Sequence, residues 1–167
     1  YITKPFEPSE LLARTRALLR RARELRAQSP LTGLPGNVRI ETEIARRVAE
    51  QAEFAVLYAD LDNFKAYNDH YGFGAGDRAI RTTAWLLQDV ASALGGERAF
   101  VGHVGGDDFV VVVEDGMSVA HEIVSRFDRE VASLYSDADL DRGAIEVLDR
   151  AGKHTRYPLM TISVGVS

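Results

Sequence analysis

The chain has 167 residues, 46% of them hydrophobic and 27% charged, which is the composition of an ordinary globular domain. It contains no cysteine, which excludes disulfides and thiolate metal sites and leads us to expect a reducing, cytoplasmic compartment. The formal net charge of −5 argues against a nucleic-acid partner, and no apolar run approaches the roughly 18 residues of a membrane span.

The N-terminal residues predict the end of one structural unit and a helix that leads out of it. Residues 1–6 indicate a strand end and a Lys-Pro turn, and the polar start and arginine-rich later turns of Pro8–Ala27 predict a helix. Its leucines Leu11, Leu18 and Leu25 fall seven residues apart. This spacing is typical of a coiled-coil seam, but an amphipathic helix packing on its own domain predicts the same pattern, so both interpretations stay open.

A domain boundary is predicted between Ser29 and Asn37, where two prolines and two glycines interrupt the helix. A second helix is expected over Asn37–Gln51. The continuous apolar run Phe54–Ala59 predicts a buried strand, which ends in Asp60-Leu61-Asp62. A loop or short helix over Asn63–Tyr71 follows.

The glycine-rich stretch Gly72–Asp77 precedes a long helix, and a β-hairpin follows that helix. The helix is predicted from apolar residues that share one face, namely Ile80, Ala84, Leu87, Val90 and Leu94. Two extended runs, Ala99–Val104 and Phe109–Glu114, flank Gly105-Gly106-Asp107-Asp108. Extended runs on either side of a glycine-rich turn predict a hairpin.

The C-terminal third predicts one more helix and further strands. The helix spans Ser118–Leu134, with Val119, Ile123, Phe127 and Val131 on its inner face. Strands are expected at Ala144–Leu148 and Thr155–Val166, with a turn at residues 149–152. The order of elements predicts an α+β fold of the ferredoxin-like split βαβ type, an antiparallel-containing sheet with helices on one side, preceded by a long N-terminal helix.

Acidic residues follow the first predicted strand and fill the predicted hairpin turn. If the hairpin lies beside that strand, Asp60, Asp107 and Asp108 converge at one end of the sheet, with Asp62 as a possible fourth member. Carboxylates that close cannot all stay ionised without a cation, and hard oxygen ligands beside a phosphate suit Mg²⁺. Acidic residues at strand ends also solubilise turns, so each one alone has a purely structural explanation.

The glycines allow two interpretations. Gly105 and Gly106 permit the positive φ of a hairpin turn, and they equally permit close approach of a phosphate. Gly72–Asp77 does not match a dinucleotide-binding fingerprint, because its spacing differs and no strand directly precedes it. The histidines have no metal-ligand spacing and are expected to be structural or solvated; they are His70, His103, His121 and His154.

Three motifs in order resemble the GGDEF-domain (diguanylate cyclase) family. Gly105–Phe109 reads GGDDF, the GGDEF signature with Asp108 in place of its Glu. Asp60–Asp69, followed by Gly72 and Gly76-Asp77, is similar to the family's DxDxFKxxND…G…GD stretch, and Leu31–Pro35 reads LTGLP. The resemblance covers residues 29–167 and implies a nucleotidyl-cyclase-like fold.

The N-terminus resembles the end of a response-regulator receiver domain, on the residues Thr3-Lys4-Pro5-Phe6 and the helix that follows. The expected organisation is therefore a receiver remnant with a linker helix over 1–28 and a GGDEF domain over 29–167. The family's last helix and strand are expected to lie beyond Ser167, so the domain is expected to be truncated at its C-terminus.

The family resemblance implies roles for named residues. Asp60, the backbone carbonyl of Leu61, and Asp107 would hold Mg²⁺ (or Mn²⁺) against the triphosphate of GTP. Asp107 would also assist deprotonation of the attacking 3′-hydroxyl, and Asp108 would support the same site as the second catalytic residue. The implied substrate-binding residues are Asn68 and Asp77 for the guanine, and Phe64, Lys65, Gly105 and Gly106 for the phosphates.

The implied reaction joins two GTP molecules into cyclic di-GMP, each 3′-hydroxyl attacking the other's α-phosphate and expelling pyrophosphate. Because each domain holds one GTP, a homodimer is expected, and the receiver implies an upstream histidine kinase. No nucleic-acid or membrane partner is expected.

The sequence departs from the family pattern at Asp108, at His103 where an Arg is common, and at Phe73 where a His is common. The product-inhibition motif Arg-x-x-Asp is absent, since Gly96–Ala99 occupies its positions, and the segment Tyr135–Tyr157 is longer than usual. The alternatives to an active cyclase are a degenerate domain that binds GTP or a related nucleotide as a signal, and a dimerising output module without nucleotide affinity.

Overall fold

The computed structural model describes residues 9–16, 27–148 and 154–167, and residues 9–16 are helical. The helices are α1 (Asn37–Ala49), α2 (Phe64–Tyr71), α3 (Phe73–Leu94), α4 (Gly116–Glu130) and α5 (Asp137–Arg142), with a 3₁₀ turn at Val131–Leu134. The strands are β1 (Ala55–Asp62), β2 (Phe100–Gly105), β3 (Asp108–Val113), β4 (Ala144–Leu148), β5 (His154–Pro158) and β6 (Thr161–Val166).

The main sheet has four strands in the order β2-β3-β1-β6, and every neighbouring pair is antiparallel. The chain runs from β1 through α2 and α3 to the β2–β3 hairpin and then through α4 towards β6, which is the predicted split βαβ arrangement. Strands β4 and β5 pair with each other in a separate small sheet. The predicted α+β fold is therefore confirmed.

Helices cover both faces of the main sheet, not one face as predicted. The larger core joins α3 and α4 to residues such as Leu57, Ala59 and Val111, whereas α1 places Ile40 against Val110 on the opposite face. Helix α1 reaches only part of that second face. The prediction that β1 is wholly buried was therefore wrong, since its residues alternate in burial and Tyr58 is 47% exposed.

Several predicted boundaries shift for identifiable reasons. Strand β1 continues through the acidic residues to Asp62, because β6 pairs with it that far. The predicted strand Thr155–Val166 is broken before Thr161, where the backbone N–H of Met160 donates to the Tyr135 hydroxyl at 2.7 Å. Leu94, assigned to the buried face of the long helix, is 48% exposed near that helix's end.

Helix α2 is attached to the segment that follows α4. The Tyr67 hydroxyl donates to the carbonyl of Leu134 at 2.8 Å, and the Tyr71 hydroxyl donates to the buried carboxylate of Asp139 in the unpredicted helix α5. His70 Nδ1 lies 2.9 Å from the carbonyl oxygen of Glu146 in β4. These bonds hold α2 in place directly after β1.

The predicted turn at residues 149–152, the receiver-like residues 1–6 and most of the predicted N-terminal helix lie outside the described residues. Leu18 and Leu25 lie outside them as well, so the coiled-coil prediction is not tested. No helix within the described ranges is long and apolar enough to cross a membrane.

Replacing Gly102 with alanine is expected to lower the free energy of unfolding. A Cβ atom at Gly102 in β2 would lie 2.4 Å from Cγ1 of Ile40, so the Ile40 side chain or α1 must shift. Overpacking of this kind costs about 1–3 kcal/mol. Urea unfolding measures the loss, and Gly165→Ala is the matched control, because a Cβ there meets no atom within 4 Å. Equal stability of the two variants would contradict the packing of α1 on β2.

Candidate functional site

The end of β1 extends past the start of β3, and this offset creates the candidate site. Pairing of β1 with β3 ends where Ala59 meets Phe109, whereas its pairing with β6 continues to Asp62. Asp60 therefore follows the last β3-paired residue of β1, just as Asp108 precedes the first β1-paired residue of β3. The two carboxylates belong to adjacent strands at the same end of the sheet.

Three carboxylates meet there. One carboxylate oxygen each of Asp60, Asp107 and Asp108 lie within 4.8 Å of one another, and all three residues are half-buried. Asp62, considered as a fourth member, does not belong to this group. Its carboxylate instead accepts hydrogen bonds from the hydroxyls of Thr161 and Ser163 in β6, both at 2.8 Å.

Burial raises the pKa of the Asp60 carboxyl above its ordinary value, and the negative charges of Asp107 and Asp108 raise it further. The phenol of Tyr58, on the same face of β1, also has a raised pKa, because of burial and a hydrogen bond with Asp108. Tyr58 was not among the predicted site residues. Tyr58 could have been predicted from the sequence, because it lies two residues before Asp60 and residues at this spacing in a strand point to the same side.

The turn that carries Asp107 needs its glycines for their backbone conformation. Gly105 has φ +152° and Gly106 has φ +60°, a region that side-chain-bearing residues rarely adopt. A Cβ atom at either position would meet no atom of the described residues within 4 Å. The hairpin explanation therefore holds, and the open space beside both glycines also leaves room for a ligand.

Asn68 on α2 has a buried side-chain oxygen, Oδ1, without a hydrogen-bond partner among the described residues. The amide fits against Gly76 of α3, where a Cβ atom would lie only 1.7 Å from Oδ1. Asp77, the next residue, is exposed. Phe73, one turn earlier on the same helix, is 82% exposed.

The remaining predicted site residues differ in which of their groups a ligand can reach. The side chains of Phe64 and Leu61 are buried in the core, so only their backbones are available to a ligand. Lys65 is exposed in the first turn of α2, a helix that has no side-chain cap at its N-terminus. Its first N–H groups therefore remain available to an acceptor.

His103 connects the glycine turn to the segment before α1. Its Nε2 lies 3.0 Å from the carbonyl oxygen of Gly106, and its Nδ1 lies 2.7 Å from Oγ of Ser29 and 3.1 Å from Oγ1 of Thr32. The ring is 5% exposed, which agrees with the predicted structural role. The contacts join residues more than 70 positions apart, so no local pattern could have predicted them.

The sequence profile described as "Diguanylate cyclase, GGDEF domain" matches residues 27–152. The chain therefore belongs to the GGDEF family. It is 33% identical over 146 residues to the bifunctional diguanylate cyclase/cyclic di-GMP phosphodiesterase MucR of Pseudomonas aeruginosa, an alignment that covers 82% of this chain and 21% of MucR. The chain thus spans about a fifth of the length of that relative.

Solved structures share the fold. The coiled coil and GGDEF domain of DgcB from Caulobacter crescentus, in complex with c-di-GMP, aligns with a TM-score of 0.63 at 23% identity, covering 95% of this chain and 77% of that one. A sensory box/GGDEF family protein from Caulobacter crescentus CB15 aligns with a TM-score of 0.52 at 30% identity, covering 84% and 82% respectively.

The raised pKa of Asp60 predicts a pH-dependent effect of Asp60→Asn in metal-free protein. A carboxyl whose folded-state pKa lies above its unfolded value destabilises the folded state as pH rises through the folded pKa. The variant is therefore expected to unfold at a higher temperature than the wild type at pH 7. The difference should vanish below about pH 3.5, where the unfolded carboxyl is also protonated. Thermal unfolding at both pH values measures this, and a lower midpoint for Asp60→Asn at pH 7 would contradict it.

Proposed function

We propose that this chain is a diguanylate cyclase-type domain, which condenses two GTP molecules into cyclic di-GMP as the output of a response regulator. The observation that carries the proposal is the meeting of Asp60, Asp107 and Asp108 within 4.8 Å at the end of the sheet. Membership of the GGDEF family supports the reaction class.

Diguanylate cyclases of this family use a divalent metal ion, and the donor set here fits one. Three half-buried carboxylates share one small space, and their mutual repulsion helps to raise the pKa of Asp60. Oxygen ligands of this kind suit Mg²⁺ or Mn²⁺. We assign Asp60, the backbone carbonyl of Leu61, and Asp107 as the residues that would hold it. The ion would supply charge neutralisation and alignment of the triphosphate.

Groups of the protein carry out the proton transfer and make room for the phosphates. Asp107 accepts the proton of the attacking 3′-hydroxyl, and Asp108, hydrogen-bonded with Tyr58, supports the same site. Gly105 and Gly106 let the phosphates approach the backbone closely, because neither carries a side chain.

Binding of the nucleotide involves α2 and α3. Asn68 and Asp77 hydrogen-bond the guanine, and the buried oxygen of Asn68, which has no partner among the described residues, supports this assignment. A buried oxygen without a partner is costly, and a base N–H donor would satisfy it. The first turn of α2, with Phe64 contributing its backbone and Lys65 its ammonium group, lies against the outer phosphates.

The proposal also concerns the assembly and the control of the whole protein. Each domain holds one GTP, so the reaction requires a second copy in a homodimer. A receiver remnant over residues 1–28 places the domain under the control of a histidine kinase, in the cytoplasm.

A second candidate function is GTP binding as a regulatory signal without turnover. One feature favours it: Asp108 is one methylene shorter than the Glu of the GGDEF signature, so its carboxylate has a shorter reach from the backbone. The two functions share the metal and nucleotide site and differ only in product formation.

Asp60→Ala is expected to lower the Mg²⁺-dependent affinity for GTP at least about tenfold, because the cluster loses a metal ligand. Calorimetric titration of GTP with and without Mg²⁺ measures this. Asp62→Asn is the matched control. It lies on the same strand and face, and an amide oxygen still accepts from Thr161 and Ser163, so its affinity should stay close to that of the wild type. Unchanged Mg²⁺-dependent binding by Asp60→Ala would refute the metal assignment.

Asp108→Glu is expected to keep or raise turnover, because the longer side chain restores the reach of the family's residue. Full-length wild type and variant are incubated with GTP and Mg²⁺, and the products are identified by mass. Cyclic di-GMP from the wild type supports the cyclase proposal, whereas unreacted GTP with measurable binding supports the second candidate. A sharp loss of product on Asp108→Glu would mean that this site is built for aspartate.

A further inference from the structure

The turn over Gly105–Asp108 carries two of the three clustered carboxylates and joins β2 to β3. It pairs through Gly105 and Asp108, with a register irregularity just before it, and both glycines are exposed. A glycine turn has many accessible backbone conformations, so a single conformation needs external support.

Within the described residues, the side chain that hydrogen-bonds the backbone of this turn is His103. The acceptor is the carbonyl oxygen of Gly106, 3.0 Å from Nε2. A carbonyl oxygen only accepts, so Nε2 carries the hydrogen. The ring is stacked on Phe109 at 4.6 Å between centroids, which fixes its plane. Gly106 immediately precedes Asp107, so this bond restrains the backbone from which that carboxylate projects.

The opposite ring nitrogen is held by the segment over residues 27–36. With the hydrogen on Nε2, Nδ1 of the neutral ring accepts from the hydroxyl of Ser29 at 2.7 Å or of Thr32 at 3.1 Å. The backbone N–H of His103 also donates to the carbonyl of Pro35 at 2.8 Å. Two independent bonds thus join His103 to one segment.

The segment over residues 27–36 is closed by backbone hydrogen bonds and anchored in the core. Its backbone hydrogen bonds from Ser29 to Leu34 and from Gly36 to Ala27 are both 2.8 Å long. Leu34 is 2% exposed and belongs to the main core. The segment is therefore a rigid support, and it directly precedes α1.

We propose that His103 is a positioning residue that transmits the placement of the 27–36 segment to the glycine turn, and so determines where Asp107 and Asp108 stand in the acidic cluster. The proposal rests on the proposed function only for its consequence at the metal site. The bridge itself, from Ser29 and Thr32 through the ring to Gly106, is a property of the ligand-free protein.

His103→Asn breaks the half of the bridge that reaches the turn, because asparagine retains an acceptor where Nδ1 stands but is too short to reach Gly106. The first readout is amide hydrogen exchange at Gly105 and Asp108 in the ligand-free full chain. In His103→Asn these amides should exchange about five- to tenfold faster, the factor expected for the loss of one hydrogen bond. His121→Gln, at an exposed histidine of α4, should leave them unchanged.

Transmission is tested from the far side with the double substitution Ser29→Ala/Thr32→Ala. These residues bond Nδ1 of the ring and not the turn, yet the variant should also accelerate exchange at Gly105 and Asp108. Combined with His103→Asn it should add nothing further, because the bridge is already broken. Unchanged exchange at the turn in either the double variant or His103→Asn overturns the proposal. The proposal is also overturned if the combined variant accelerates exchange by the product of the two separate factors. Urea unfolding identifies a general loss of stability, which would accelerate exchange throughout β2 and β3.

A second readout separates this proposal from the proposed function. Mn²⁺ affinity in the presence of GTP, measured by electron paramagnetic resonance, should fall at least about fivefold in His103→Asn if the turn positions metal ligands. A wild type that binds no Mn²⁺ refutes the proposed function, while the exchange data still decide on the bridge. A wild type that binds Mn²⁺, with equal affinity in His103→Asn, overturns the positioning role.

Discussion

The antiparallel pairing of β1 with β3 is the constraint on which the site depends. Leu57, Ala59 and Leu61 fill the core from one face of β1, so the strand cannot slip by one residue without turning its apolar set to the opposite face. The same alternation directs Asp60 away from the core and brings it level with the start of β3. Core packing and the convergence of the carboxylates are therefore consequences of a single register.

The cluster is unfavourable by itself, and the surrounding structure maintains it. Half-burial and neighbouring charges disfavour ionisation of Asp60, and such perturbed groups concentrate at functional sites. Among the described residues, no side chain packs where a Cβ at either positive-φ glycine would lie, and the His103 ring connects the turn to a rigid segment. The fold thus holds acidic groups together that would separate in a free chain.

A second unsatisfied group lies close by along the chain. Asn68 has a buried oxygen without a partner in the part of the chain that the structure describes, on a helix that begins two residues after β1 ends. The tyrosines of α2 attach that helix to the residues after α4, which holds the backbone that carries Asn68 in place. The acidic cluster at the end of β1 and the Asn68 acceptor that follows it along the chain are the groups to which the proposed function assigns the metal ion and the nucleotide.

The sequence by itself determined the longer helices α1, α3 and α4, the hairpin and the family, because apolar periodicity, glycine positions and the three motifs are local signals. It also indicated that Asp60 and the acidic turn residues would meet, through the expected pairing of their strands. Tertiary structure decided what depends on distant contacts. In the folded chain, Asp62 is hydrogen-bonded to Thr161 and Ser163 and is not part of the acidic cluster. Helix α1 packs on the second face of the sheet, and His103 lies in hydrogen-bond contact with Ser29. Such contacts follow from how folded elements fit together in space, which no spacing along the chain encodes.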